Sequence, residues 1–325
     1  MTSWGEKSVA KGYLGVDVGS ISTKGVVVDA DGRVMASKYL RTQGSPVTAI
    51  KQLLRELGSM TDGHVDIAGV GTTGSARRLA GVIVQADIVK NEIIAHAVAA
   101  GKYHPEAQTV LEIGGQDSKI IILRDGIPVD FAMNTVCAAG TGSFLDHQAT
   151  RLGIPIEDFG NLALQAGNRV NIAGRCTVFA ESDMIHKAQL GISTNDIIAG
   201  LCDAIVRNYM NTVARGKDIQ PVVLFQGGVA ANAGVRGAFE RTLDREVVVP
   251  EHFLVMGAVG AAILAFEQTG GRDTKFGGFE TASIEFQTRA FECDGCPNRC
   301  EVVETLRQGE VIDRYGDRCG KWSQL

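Results

Sequence analysis

The sequence has no excess of positive charge. Lysine and arginine number 32 against 37 aspartates and glutamates, a formal net charge of −5. A general nucleic-acid binder normally carries a basic stripe, so that class is set aside. Long apolar runs are missing too. The longest, Phe253 to Phe266, is too short and too rich in glycine and alanine to span a bilayer. The first residues lack the apolar core of a secretory signal, and a cytoplasmic protein without a membrane partner is expected. Cysteine is sparse along most of the chain. Only Cys137, Cys176 and Cys202 precede a group at the end, Cys293, Cys296, Cys300 and Cys319. In a cytoplasmic protein these suit metal ligands or core thiols better than disulfides. What is abundant is apolar residues, at 45%, and glycine, at 40 residues. That describes a globular, turn-rich chain of about two domains with ample core.

One stretch occurs twice. The first copy runs Asp17-Val18-Gly19-Ser20-Ile21-Ser22-Thr23-Lys24, and the second Glu112-Ile113-Gly114-Gly115-Gln116-Asp117-Ser118-Lys119. Both read acid, apolar, Gly, small, two free positions, hydroxyl, Lys. Each is flanked by apolar runs, and each second run turns on Asp-Gly, at Asp31-Gly32 and Asp125-Gly126. Apolar runs joined through Asp-Gly signal hairpins. The unit is therefore strand, Gly turn, strand, Asp-Gly turn, strand. A strand ending in a Gly-rich turn brings backbone N–H groups close to phosphate. Ser20, Ser22 and Thr23 add hydroxyl donors and Lys24 a point charge. The carboxylates of Asp17 and Asp117 suit a hydrated Mg²⁺. Two ordinary hairpins are the alternative, and the repetition argues against it.

Along the chain, residues 1–11 read as a loose leader and Pro46 to Met60 as a helix (Ile50, Leu53, Leu54, Leu57). Val65 to Gly74 reads as a strand and Gly turn, which either reaches a nucleotide or closes the strand. Asn91 to Lys102 is a small-residue helix on which Glu92 and His96 share a solvated or capping face. Helices are expected at 154–170, at Ala180 to Leu190 and at Ser193 to Gly216. Val222 to Phe225 is a buried strand running into Gln226-Gly227-Gly228, a nucleotide-friendly turn placed at the adenosine end, with a helix from Ala230 to Leu243. Val247 to Pro250 is a short strand. Residues 252–268 form an Ala- and Gly-rich helix able to pack closely. Beyond Gly270 the composition turns polar.

The two phosphate-type turns, the Gly-Gly turn and the Ala- and Gly-rich helices resemble the sugar kinase, heat-shock chaperone and actin ATPase superfamily. Two further segments, NTVCAAGTGSF from Asn134 and GRCTVFAESDM from Gly174, are more specific. They resemble the acyl-CoA dehydratase activases, over roughly residues 12–268. That family includes activators of 2-hydroxyacyl-CoA dehydratases, ATPase subunits of benzoyl-CoA reductase and reductases of double-cubane cluster proteins.

The resemblance implies two actin-like (ribonuclease H-like) α/β domains. Domain I is expected over 12–100 with the returning helix 252–268, domain II over 101–251, and a Cys-rich appendage over 271–325. It implies ATP bound at Gly19 to Lys24 and at Gly114, Gly115 and Asp117, with Gln116 placed to orient water and Asp17 toward Mg²⁺. It further implies a [4Fe-4S] cluster bridging a homodimer through Cys137 and Cys176. An electron would come from a donor such as ferredoxin or flavodoxin and pass to a partner Fe–S dehydratase or reductase. The residues agree, since a thiolate ahead of a helix is stabilised by its N-terminal dipole. A cubane needs four thiolates, and two per chain is half a site that two-fold symmetry completes. Cys202, in an apolar helix, reads as core. The set Cys293-x₂-Cys296-x₃-Cys300 with Cys319 departs from the compact activases and offers four thiolates for zinc or a second Fe–S centre. A small-molecule kinase and a chaperone-like assembly protein are the rivals, and neither needs Cys137 or Cys176.

Overall fold

The computed structural model describes residues 9–61, 64–134 and 137–323. They divide into two compact units. One holds the described residues up to Ala95 and from Gly257 onward, and the other is His96–Met256.

The first unit opens with β1 (Ala10–Val18), β2 (Ser22–Val28) and β3 (Val34–Arg41), an antiparallel meander. Residues 1–8 of the expected leader lie outside the described residues, and Ala10 and Lys11 already belong to β1. Next come α1 (Pro46–Thr61), β4 (Val65–Thr73), α2 (Arg77–Val84), β5 (Ile88–Val89) and the start of α3 (Glu92–Tyr103). The sheet order is β3-β2-β1-β4-β5, with β1 parallel to β4. Ile50, Leu53, Leu54 and Leu57 form the apolar stripe of α1 and bury it against Leu14, Val16 and Val27. α2 and β5 carry no strong signal in the sequence.

The second unit repeats the meander with β6 (Thr109–Ile113), β7 (Ser118–Arg124) and β8 (Ile127–Asn134). A 3-10 turn at Ala138–Gly140 leads into α4 (Gly142–Leu152). The helices α5 (Ile156–Leu164), α6 (Thr177–Gln189) and α7 (Thr194–Thr212) follow. Then come β9 (Val223–Gln226), α8 (Ala233–Leu243) and β10 (Val247–Val248). The sheet order is β10-β9-β6-β7-β8. Phe144, Phe159, Tyr209, Phe225 and Phe239 anchor its core. α5 is shorter than expected, and α6 begins earlier, directly after Cys176.

α9 (Met256–Thr269) belongs mostly to the first unit. A Cβ on Gly15 would sit 1.8 Å from Ala258 O, and one on Gly71 2.0 Å from Ala261 O. The helix backbone therefore rests directly on β1 and β4, and only glycine admits that approach. The tail is an antiparallel sheet of β11 (Phe286–Glu292), β12 (Glu301–Arg307) and β13 (Glu310–Tyr315). Ahead of it, Phe276, Phe279, Ala282 and Ile284 join the core of the first unit. Arg55 Nη2 donates to Ala282 O at 3.1 Å. The Asp87 carboxylate accepts from Thr274 Oγ1 at 2.6 Å and from Lys275 N at 3.0 Å. No helix among the described residues is long and apolar enough to cross a membrane.

Candidate functional site

In both copies of the repeated stretch the acid and the lysine are cross-strand partners. Asp17 faces Lys24 across β1 and β2, and Glu112 faces Lys119 across β6 and β7. Lys24 Nζ donates to Asp17 Oδ2 at 3.1 Å. Lys119 Nζ donates to Glu112 Oε2 at 2.9 Å and to Asp117 Oδ1 at 2.8 Å. The sequence pattern therefore encodes an ion pair at the root of each turn, part-buried in the first copy and buried in the second, with both lysines already engaged. Each turn is closed by the same bond, Gly19 N to Ser22 O at 2.9 Å and Gly114 N to Asp117 O at 2.9 Å. Ser20 and Gln116 stand exposed at the tips, with Gly19, Ile21, Gly114, Gly115 and Asp117 half-buried. Ser22 is buried. Thr23 was expected as a phosphate donor, but it is fully buried and its hydroxyl is hydrogen-bonded to that of Thr42 at 3.0 Å. Thr42 Oγ1 in turn donates to Gly19 O at 2.9 Å, so this pair shapes the turn from behind.

Gly74 lies against the first turn. Its φ is +92° and a Cβ there would fall 2.5 Å from Asp17 Oδ1. The Gly turn after β4 thus closes onto the acid of the first copy. Behind the second turn lies Gly227, with φ +85°, where a Cβ would fall 2.4 Å from Ile113 O and 2.6 Å from Glu112 Oε1. Gln226 is buried, Gly227 is buried and Gly228 is exposed. Gln226 Oε1 is 2.8 Å from His96 Nδ1. His96 is therefore an interior group holding the Gly-Gly turn, not part of a solvated or capping face with Glu92. The reason is tertiary: α3 presents His96 to the end of β9. Thr73 Oγ1, Ser118 Oγ and Gln226 Nε2, beside these turns, are buried without a hydrogen-bond partner among the described residues. Unsatisfied buried polar atoms are rare and mark places where water or ligand completes a site.

The second turn also meets α4. Gly142 N donates to Gly114 O at 2.8 Å and Ser143 N to Gly115 O at 2.9 Å. Ser143 Oγ donates to Gly115 O at 2.5 Å. The free N–H groups of the helix start, which need partners, find them on the turn. Cys137 sits just upstream. Its N–H donates to Asn134 Oδ1 at 3.1 Å, and its carbonyl accepts from Asn134 Nδ2 at 3.0 Å. Cys176 is the residue preceding α6, in extended conformation.

Both cysteines line one cleft of about 770 Å³ in the second unit, with Arg175, Arg207 and Arg215 and without a carboxylate. Cys137 Sγ lies 4.0 Å from Arg175 O. One residue of α7 sits against both cysteine loops, bonded to one and packed on the other, with its Oδ1 lacking a hydrogen-bond partner among the described residues. Asn208 Nδ2 donates to Gly174 O at 2.6 Å, and its Oδ1 lies 2.6 Å from where a Cβ of Gly140 would be. Arg207 donates to Ile172 O in the same loop. In the sequence Arg207, Asn208 and Arg215 read only as polar positions of the amphipathic helix expected over Ser193 to Gly216. Arg207 and Asn208 lie on α7, and what they meet is not legible there. Cys202 is buried in α7 and burial pushes its thiol up to about 12, as fits a core thiol.

In the tail, Cys293 is buried, Cys300 half-buried and Cys296 and Cys319 exposed, all as free thiols. The Trp322 indole N–H, a backbone N–H from Gly295 and nearby Lys321 lower the Cys293 thiol pKa. Among the described residues no three His, Cys, Asp or Glu side chains stand as a ready metal-ligand set.

Residues 14–265 match the BadF/BadG/BcrA/BcrD ATPase family. The chain is 36% identical over 260 residues to the (R)-2-hydroxyglutaryl-CoA dehydratase activating ATPase of Acidaminococcus fermentans, covering 78% of this chain and 97% of that one. It is 34% identical over 257 residues to the 2-hydroxyisocaproyl-CoA dehydratase activator of Clostridioides difficile, covering 78% and 95%. The solved structure of an activator of the 2-hydroxyisocaproyl-CoA dehydratase from Clostridium difficile with bound ADPNP superposes with a TM-score of 0.74 at 33% identity, covering 80% of this chain and 96% of that one. The fold is the mixed, actin-like α/β fold with two five-stranded sheets that the repeat leads one to expect. The tail lies beyond the family match. The chain belongs to the BadF/BadG/BcrA/BcrD ATPase family.

Proposed function

We propose that this chain is an ATP-hydrolysing reductive activator that delivers single electrons to a partner Fe–S dehydratase or reductase of the 2-hydroxyacyl-CoA dehydratase, benzoyl-CoA reductase or double-cubane kind. The observation that carries the reading is the convergence of Cys137 and Cys176 on one arginine-lined cleft, with the first of them joined through α4 to a phosphate-type turn.

Each Gly turn contributes to holding MgATP. Because Lys24 and Lys119 are already paired with acids, backbone N–H groups at the turn tips are the main phosphate donors. Ser20 and Gln116, exposed at those tips, are the side chains free to reach phosphate or the attacking water. Asp17 supplies negative charge suited to hydrated Mg²⁺ while its other role is to anchor Lys24.

The donor set fits half of a [4Fe-4S] cluster. Cys137 and Cys176 are thiols at helix starts, facing a cleft of positive charge that offsets an anionic cluster. Two per chain call for a second copy of the chain, related by a two-fold axis. Cys137 and Cys176 would hold such a cluster, which would supply low-potential one-electron chemistry fed by a ferredoxin- or flavodoxin-type donor. Asn208 fixes the spacing of the two cysteine loops. Gly142 and Ser143 grip the second Gly turn, so a shift of that turn on nucleotide binding or hydrolysis pulls on the segment that carries Cys137.

The test is anaerobic. Protein purified without oxygen should carry iron and sulfide near half a cubane per chain and run as a dimer. It should hydrolyse ATP and reduce a dehydratase-type partner only when ATP is present. Cys137→Ser and Cys176→Ser should each lose that iron and the electron delivery while keeping ATP hydrolysis. Iron retained in both variants, or electron delivery indifferent to ATP, would refute the reading.

A further inference from the structure

We propose that Cys293, Cys296, Cys300 and Cys319 form a second metal site, a four-thiolate centre that staples the C-terminal sheet and is separate from Cys137 and Cys176. The topology brings the four to one end of that sheet. Cys293 follows β11 directly and Cys300 precedes β12 directly, and the last register pair of these strands is Glu292 with Glu301. Cys293 N donates to Cys300 O at 2.8 Å, which closes the connecting loop, and Arg299 N donates to Cys296 O at 3.2 Å within it. Cys319 arrives from the other side. After β13 the chain turns at Gly316, whose φ is +108° and where a Cβ would fall 2.3 Å from Glu301 O. It folds back so that Trp322 Nε1 donates to Cys293 Sγ at 3.3 Å. The Trp322 ring packs edge-on against Phe291 at 5.0 Å, and Lys321 Nζ lies 5.2 Å from its centre. The segment carrying Cys319 is thus pinned to the loop carrying the other three.

Stability gives a second, independent argument. β11 is exposed along most of its length, and the apolar residues buried in the sheet are few, chiefly Phe286, Val302 and Leu306. Phe286 packs into the core of the first unit at one end of the sheet, and a metal staple would anchor the other end, where the cysteines lie. All four cysteines are free thiols rather than disulfides. N–H donors aimed at sulfur are what a bound thiolate requires from its surroundings. Trp322 already aims one at Cys293. The four sulfurs are not gathered in this structure. Metal capture draws the exposed Cys296 and Cys319 inward onto Cys293 and Cys300, with loss of the thiol protons. A closed tetrathiolate set takes either one tetrahedral Zn²⁺ or an iron–sulfur centre.

The test uses the full chain with its Cys137 and Cys176 intact. Anaerobic protein is alkylated with iodoacetamide and each cysteine mapped by mass spectrometry, alongside metal and sulfide content. Cys296 and Cys319 are exposed, so without metal they should react as quickly as free thiols. The proposal expects all four tail cysteines to be protected together, then to become reactive together once a strong chelator strips the metal. About one zinc per chain identifies the mononuclear form, and iron and sulfide above the level attributable to Cys137 and Cys176 identify the cluster form. A Cys296→Ser, Cys319→Ser double variant should lose this metal alone. Trp322→Phe should keep the stoichiometry but release metal to a competing chelator about 10-fold more readily. Free-thiol reactivity of Cys296 and Cys319 in protein reconstituted with Zn²⁺, and separately with iron and sulfide, would overturn the proposal.

Discussion

The two Gly turns share a skeleton and differ in what stands behind it. Each has an acid and a lysine paired across adjacent strands and a turn closed by the same backbone bond. The first turn is backed by side chains and a turn of its own sheet, Thr42 from the end of β3 and Gly74 from the end of β4. The second has Gly227 in the place of Gly74 and is held in addition by the start of a helix, α4, whose N–H groups hold two of its carbonyls. That helix begins shortly after Cys137. Duplicated sequence therefore produced one turn closed within its own sheet, which we propose acts as a clamp, and one held by a helix start, which we propose acts as a lever. The difference arises from the segments inserted after each hairpin, not from the hairpins themselves.

The strongest way to break the comparison is to fill the space behind each turn. Gly74→Val and Gly227→Val each force a Cβ to within 2.5 Å or less of turn atoms at positive φ. Both should lower steady-state phosphate release by about 100-fold, the scale of a misplaced reacting group. Turnover near wild type in either variant would remove that turn from the nucleotide site.

Neutralising the acids should separate the copies. Lys119 is 3% exposed and Lys24 19%. Glu112→Gln leaves a buried cation with Asp117 as its remaining carboxylate, and should destabilise the second unit by about 3 kcal/mol. Asp17→Asn should cost less stability, since water reaches Lys24, but should weaken Mg²⁺-dependent turnover more. Urea unfolding midpoints and Mg²⁺ titrations of the ATPase measure the two effects. Equal destabilisation by both variants would show that the ion pairs do not differ as their burial implies.

A milder pair of changes sharpens the contrast between clamp and lever. Ser143→Ala removes one donor to Gly115 O, worth about 1 kcal/mol. It should spare ATP hydrolysis and reduce ATP-stimulated electron delivery several-fold, about 5-fold for that energy. Thr42→Val removes the matching donor to Gly19 O and should instead lower hydrolysis while preserving the electrons delivered per ATP. The reverse pattern would assign the lever to the first turn.

The smallest effect lies outside both copies, in the tail. Arg289 and Arg314 hydrogen-bond the Glu304 carboxylate and hold its pKa below the usual range. In the unfolded chain that group titrates near about 4.3. Its contribution is therefore complete above that pH and is lost as pH falls through the lower folded value. The tail should loosen in acid, and Glu304→Gln should flatten that response, read from Trp322 fluorescence in a chain carrying Trp4→Phe.

Much of the frame was legible before any coordinates. The Asp-Gly turns mark hairpins because only a few residue types tolerate their backbone, and the 3.6-residue stripe Ile50, Leu53, Leu54, Leu57 marks α1. Both signals are local, and both survive in the structure. α2 and β5 were not legible, since a helix of eight residues and a strand of two carry too little periodicity. His96 was misplaced, because its burial depends on Gln226, far along the chain. Thr23 was given to phosphate although its hydroxyl turns inward to Thr42, because a strand's sequence does not say which face meets a neighbour.

By itself, then, the sequence determined the duplicated hairpins, the acid and lysine at each turn, the two cysteines ahead of helices and the family to which they belong. These follow from local backbone chemistry and from short segments whose residues act where they stand. Only the tertiary structure decided that Asn208 sits against two distant cysteine loops, and that α4 grips one Gly turn and not the other. Each of those depends on which atoms long-range packing brings together, and residues 28 or more positions apart leave no periodic trace of such a meeting.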